Sequence, residues 1–191
     1  MVDVETDGRV IRGRERRQEI AQAVIEVVAE HGLRGLTHRR VAEAAGVPLG
    51  STTYHFNSLD DLMVAGLELA AARNLEMMDA AATTLRQGRD LPEWLADLVI
   101  DMVTTQRESN IAERELYLEA IRTPALRPAA TRWDDQLAEL LAPHVGSSDA
   151  ARLVVMALDG LAVTLLIAGT PPDREWVLAQ TSLLCERLTD A

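Results

Sequence analysis

The sequence predicts an all-α protein: an N-terminal three-helix head followed by a six-helix bundle. Three observations predict it. Alanine and leucine dominate while aromatics make up only 3% of the residues, a balance that favours helix over sheet. Apolar residues recur at three- and four-residue spacing in one segment after another. Glycine and proline interrupt these segments, and no stretch alternates with period two. There is no internal repeat and no low-complexity segment.

The first helix reads from about Arg14 to Glu30, with Ile20, Val24, Val27 and Val28 on one stripe. His31-Gly32 stops it. Thr37 can cap a short second helix, HRRVAEAA, which ends at Gly46. A third short helix covers roughly 49–55. Ser58 followed by Asp61 is a capping-box pattern that opens a long fourth helix to about residue 86. Leu95, Leu98, Val99 and Met102 mark the inner face of a fifth helix, and a sixth runs from near Asn110 to Arg122. Leu126, Ala130, Trp133, Leu137 and Leu141 mark the seventh, with Pro128 in its first turn, and Pro143-His144-Val145-Gly146 breaks it. Ser147 or Ser148 caps an eighth helix to about Ala168. Gly169-Thr170-Pro171-Pro172 separates it from a ninth over 173–189.

The single cysteine, Cys185, cannot form an internal disulfide, which fits a reducing cytoplasm. The N-terminal MVDVETDGRVIRGRERRQ lacks the apolar core of a signal peptide. The most apolar run, LVVMALDGLAVTLLIAG at 153–169, is interrupted by Asp159 and falls short of the roughly 20 residues a membrane span needs. A cytoplasmic protein with no membrane partner is expected.

The formal net charge of −11 is unevenly spread. Residues 1–56 hold eight arginines and eight acids and sum to zero; residues 57–191 hold eleven arginines and twenty-two acids. There is no lysine. Any contact with a polyanion must therefore fall to the N-terminal quarter, since the rest repels one.

Two short helices joined at Gly46 make a helix-turn-helix. Ala42, Ala44 and Ala45 are small enough for close helix approach, and Val47 and Phe56 are the apolar plugs of the third helix. Left outward are Pro48, Leu49, Gly50, Ser51, Thr53, Tyr54 and His55. Hydroxyls and an imidazole can bond phosphates and base edges, and Leu49 and the threonine methyl can touch thymine methyls. Thr37, Arg39 and Arg40 stand at the start of the preceding helix, whose positive end suits phosphate. Arg16 and Arg17 can either join them or pair with Glu19 and its neighbours.

The run LTHRRVAEAAGVPLGSTTYHFNSLDDLM resembles the DNA-binding signature of the TetR family of bacterial transcriptional regulators. The close match covers about residues 14–65. It departs at Leu59, where the family often carries a lysine, and at Thr52 and Thr53, where an aliphatic and an aromatic residue are common. The resemblance implies a DNA-binding domain over 1–58 and a helical ligand-sensing and dimerising domain over 59–191.

Small residues in the eighth helix (Ala157, Gly160, Thr164) beside Leu153 and Leu161, with Val177, Thr181, Leu184 and Leu188 in the ninth, suit a four-helix homodimer interface. Paired reading helices would then address a pseudo-palindromic operator on double-stranded DNA. Trp94, Met102, Tyr117, Leu118, Trp133 and Met156 are candidate walls of an effector pocket among helices four to eight. Glu115, Glu119 and Arg122 read either as a solvated ion-pair face or as a polar ligand anchor. Asp159, midway along an apolar helix, needs a partner, water or a ligand if it is buried.

The expected function is a ligand-responsive DNA-binding regulator, a dimeric repressor released by a small, largely apolar molecule. A constitutive or activating regulator of the same fold is one alternative; a helical-bundle enzyme is another. Against the enzyme, the four histidines (31, 38, 55, 144) are scattered. There is no Glu-x-x-His pair, no Gly-rich phosphate loop and no nucleophile elbow. Neither a metal nor a cofactor is expected.

Overall fold

A computed structural model of the chain describes residues 4–189, with side chains described over 10–187. Among the described residues every regular element is helical. The nine α-helices are α1 (Val4–His31), α2 (His38–Ala44), α3 (Leu49–His55), α4 (Leu59–Arg86), α5 (Leu91–Val103), α6 (Arg107–Glu119), α7 (Arg127–Val145), α8 (Ser148–Ala168) and α9 (Arg174–Thr189). Single 3-10 turns at Leu33–Gly35 and Pro124–Leu126 precede α2 and α7.

The caps follow local chemistry. The Thr37, Asp90 and Ser147 side chains accept from backbone N–H groups in the first turns of α2, α5 and α8. At the start of α4, Asp61 N–H donates to Ser58 Oγ at 3.1 Å while Asn57 N–H donates to Asp61 Oδ2 at 2.9 Å. The reciprocal pair expected from Ser58 and Asp61 forms, closing on Asn57. Three boundaries differ from the sequence reading. α1 begins at Val4 rather than near Arg14, because a polar, arginine-rich helix shows no apolar stripe to count. α6 starts and ends three residues earlier than expected. α7 continues through Pro143 to Val145, with the proline in its last turn.

The chain forms two compact units. The first runs to Ala71 and takes in Ala112–Ala130; the second is Ala72–Ile111 and the chain from Thr131 onward. In the first unit α2 packs on α1 and α3 packs on α2. Ile20, Val24, Val28, Val41, Phe56, Leu62, Leu67, Leu116 and Leu126 are essentially fully buried there. Gly66 marks a close approach between helices: a Cβ at this position would lie 2.8 Å from Val24 Cγ1 and 3.5 Å from Leu116 Cδ1.

In the second unit α5 lies along both α9 and α8. Its core gathers Met78 and Leu85 of α4, Trp94, Leu95 and Val99 of α5, Leu141 of α7, Val154 and Leu158 of α8, and Val177 of α9. Asp97 of α5 ties down this unit's surface, pairing with Arg89 and with Arg174.

The length reading of α8 is corrected. At 21 residues with mean hydropathy 2.0, it is the one helix among the described residues long and apolar enough to cross a membrane, and only 22% of its most apolar window is buried. The sequence estimate began at Leu153 and left out the capped first turn, Ser148–Arg152.

Replacing Gly66 with alanine adds about 1 kcal/mol of helix propensity and loses about 1–3 kcal/mol to overpacking against a stiff valine. The expected result is a lower melting temperature by circular dichroism for Gly66→Ala, with a favourable coupling when Val24→Ala is added.

Candidate nucleic-acid interface

The two helices that present the site are short, seven residues each, and shaped by their junction. Gly46 takes φ 63°, a left-handed conformation that costs a glycine nothing. It lets Gly46 N–H reach Glu43 O (3.1 Å) and Val47 N–H reach Ala42 O (2.9 Å), closing the end of α2. Pro48 then starts α3 with its fixed φ, and Ser51 N–H returns to Pro48 O at 2.8 Å.

α3 is pinned by its buried side. Val47 and Phe56 flank it in the core, as expected. Thr52, where an aliphatic residue is common, is fully buried, and its hydroxyl donates to Leu49 O at 2.8 Å. The extra oxygen is therefore accommodated inside the helix's own backbone. Ala42 is buried, whereas Ala44 is exposed and Ala45 half-buried, so one alanine rather than three makes the close approach.

The outward face holds Pro48, Leu49, Gly50 and Thr53, all exposed, with Ser51 and His55 half-buried. Tyr54 is 83% exposed, the most exposed large hydrophobic side chain among those described. Its ring meets the His55 ring edge to face, with centroids 5.1 Å apart. Thr53 Oγ1 leans on the α3 carbonyls of Leu49 and Gly50. The arginines divide by task. Arg16 pairs with Glu19 at 2.9 Å. Arg17 donates to His55 O at 3.3 Å and lies 4.6 Å over the Phe56 ring, so it caps the C-terminus of α3. No local pattern announces that role, since Arg17 and His55 are 38 positions apart. Arg39 is exposed. Arg40 donates to Gly35 O at 2.8 Å with one of its five N–H donors.

The residues considered for an effector pocket are scattered. Trp94 is plain core, with its indole N–H on Ala81 O at 3.1 Å. Leu118 and Met156 are 53% and 67% exposed. Met102, Tyr117 and Trp133 are half-buried. Asp159 is exposed on α8, so the burial that would demand a ligand does not arise in the chain by itself. Glu119 accepts from the Thr123 hydroxyl at 2.8 Å.

The residues expected at a dimer interface differ in exposure within the chain. Leu153, Ala157, Gly160 and Thr164 of α8 are exposed, and Leu161 and Leu184 are half-buried. A groove of about 290 Å³ runs between α8 and α9, lined by Ala157, Gly160, Leu161, Thr164, Gln180 and Leu184. Val177 and Thr181 are buried, Thr181 as part of the groove's lining. The Thr181 hydroxyl donates to Pro92 O at 2.9 Å, so this side of α9 turns to α5 of its own chain. Trp176 and Leu183 of α9 are exposed. The Leu188 side chain lies outside the described residues. Among the described residues, no group of three His, Cys, Asp or Glu could hold a metal ion. Burial, and then the nearby Asp90 charge, push the Cys185 thiol up, away from nucleophilic character.

A capped α2, a glycine-turned α3 with an exposed polar face and a following helical body define a helix-turn-helix regulator. The chain belongs to the TetR family of transcriptional regulators. The tetracyclin repressor-like C-terminal domain matches residues 90–188. The fold is similar to multidrug binding protein EbrR complexed with ethidium, at 42% identity over 88% of this chain and 98% of that one (TM-score 0.78). It is also similar to a TetR-family member, SCO1917, from Streptomyces coelicolor A3, at 43% identity over 89% and 98% (TM-score 0.77). Among curated proteins, the HTH-type transcriptional regulator PksA of Bacillus subtilis (strain 168) is 30% identical over 104 residues. That match covers 53% of this chain and 48% of PksA, so the chain spans about half the length of this relative.

Thr37 accepts from Arg40 N–H at 3.2 Å. Thr37→Ala is expected to lower stability by about 1 kcal/mol, read by denaturant unfolding, whereas Thr37→Ser keeps the cap and the parental midpoint.

Proposed function

We propose that the chain is a homodimeric repressor that reads a pseudo-palindromic operator with the outward face of α3 and releases it on binding a small effector. The observation that carries this reading is the Tyr54 side chain. A ring 83% exposed contributes almost nothing to the core, yet it sits beside Leu49, Thr53 and His55 on the one face of α3 that packing leaves open. Methyl contact and hydrogen bonding to base edges and phosphates are within the chemistry of that set. Arg39 and the remaining donors of Arg40 supply phosphate contacts, and the overall neutral charge of residues 1–56 lets them do so.

Dimerisation is supported by α8. An apolar helix with most of its surface uncovered needs a partner, and the small residues at its groove let a second helix pair approach closely. A second copy makes a four-helix interface and places two α3 helices on one duplex. Membership of the regulator family favours this cover over a lipid one and supports a cytoplasmic location.

The effector class we propose is supported by the similarity to EbrR, whose complex holds ethidium, a flat aromatic cation. Residues 57–191 carry twenty-two acids against eleven arginines, a field that attracts a cation of this kind. An apolar body with a positive charge is therefore the favoured effector. The reading assigns this chain no catalytic step.

The test is fluorescence anisotropy with duplex DNA from upstream of the chain's own gene, alongside sedimentation. The parent is expected to bind as a dimer, with a log–log salt slope of about −0.9 per phosphate contact. Tyr54→Ala with His55→Ala should weaken binding at least about tenfold with an unchanged melting temperature. Gly160→Leu should yield monomer with weakened operator binding. A monomeric parent, or a reading-face variant that binds like the parent, contradicts the proposal.

A further inference from the structure

We propose that Glu115 of α6 is a positioning residue for operator reading, acting through the connection between α1 and α2; the inference rests on the DNA-binding reading above. Glu115 lies well outside the helix-turn-helix sequence, yet its Oε2 accepts from Leu33 N–H at 2.8 Å, 82 positions away and partly buried. A bond to an ionised acceptor at this length is of the stronger kind.

The bond holds a weak element. Leu33–Gly35 is a single 3-10 turn, closed by Gly35 N–H on Gly32 O and Leu36 N–H on Leu33 O. Such turns have poor hydrogen-bond geometry and little stability of their own. The Leu33 N–H is one of the donors that a helical turn leaves open at its start, and Glu115 satisfies it. The other end of the same turn carries the reading head: Gly35 O accepts from the Arg40 guanidinium at 2.8 Å, and Thr37 begins α2 two residues later. Glu115, the turn and Arg40 thus form one connected series.

The acceptor itself is firmly placed. Leu116, the next residue, is fully buried, and Gly66 lets α4 close against Val24 and Leu116 with no spare room. Removing the carboxylate leaves the Leu33 donor without its acceptor and frees the turn. The fraction of heads with Arg40 in place then falls, and the apparent affinity falls with it.

The experiment measures anisotropy on the same upstream duplex across a salt series, using the full chain and variants whose helix content is checked by circular dichroism. Glu115→Ala is expected to weaken binding about tenfold and to reduce the salt slope by about one, as loss of one phosphate contact would. Glu115→Gln keeps an acceptor oxygen and should bind within about threefold of the parent. Leu33→Pro deletes the donor, and Gly32 at ψ 171° tolerates a following proline. It should match Glu115→Ala, and the double variant should be no weaker than either. Should Glu115→Ala lose helix, Glu115→Asp, which withdraws the acceptor by one methylene, carries the same expectation. Parental affinity and slope in Glu115→Ala, or multiplying effects in the double variant, overturn the proposal. A parent that does not bind the duplex refutes the DNA-binding reading instead.

Discussion

A seven-residue helix cannot hold its shape in water, because nucleating a helical turn fixes several residues for each hydrogen bond gained. The reading face of α3 therefore depends on how that helix is fastened. Phe56 and Val47 bury its two ends, Thr52 fills the gap between them, and Arg17 holds its last carbonyl from α1. With those groups inward, Leu49, Thr53 and Tyr54 have no packing duty and are free for a ligand as large as a duplex. The polar character of the face is thus a consequence of the fastening: one side of a short helix takes all of the apolar anchoring, and the other carries the chemistry.

Charge divides along the chain in the same spirit. A neutral first quarter and a strongly acidic remainder leave one part able to approach a polyanion while the rest is repelled. Arginine supplies every basic contact, and several guanidiniums have structural partners as well: Arg17 on a carbonyl and a ring, Arg40 on Gly35 O. A planar group with five donors can serve both duties at once, which a lysine ammonium does less well.

The sequence made the helical class and the bounds of α3 legible, because Pro48 and Phe56 mark its ends and Gly46 marks the turn before it. Caps were legible too, since Thr37, Ser58 and Ser147 act within three residues of themselves. What escaped depended on distance. The amphipathic stripe of α9 shows that Val177 and Thr181 face something apolar, but periodicity cannot say whether that is α5 of the same chain or a second copy. α8 is apolar on nearly every side, so its pattern identifies no inner face and does not tell that Asp159 lies on an exposed one. The grouping of Ala112–Ala130 with the reading head, and the bond from Glu115 to Leu33, join residues far apart in sequence and leave no local mark.

The central claim is that the open face of α3, held from behind by its buried anchors and presented twice, reads DNA. Chemical footprinting of the purified chain on DNA upstream of its own gene tests it most directly. The account predicts two protected major-groove segments related by a two-fold axis, on the order of one helical turn or more apart. A single protected segment, or uniform protection with no symmetry, would contradict it.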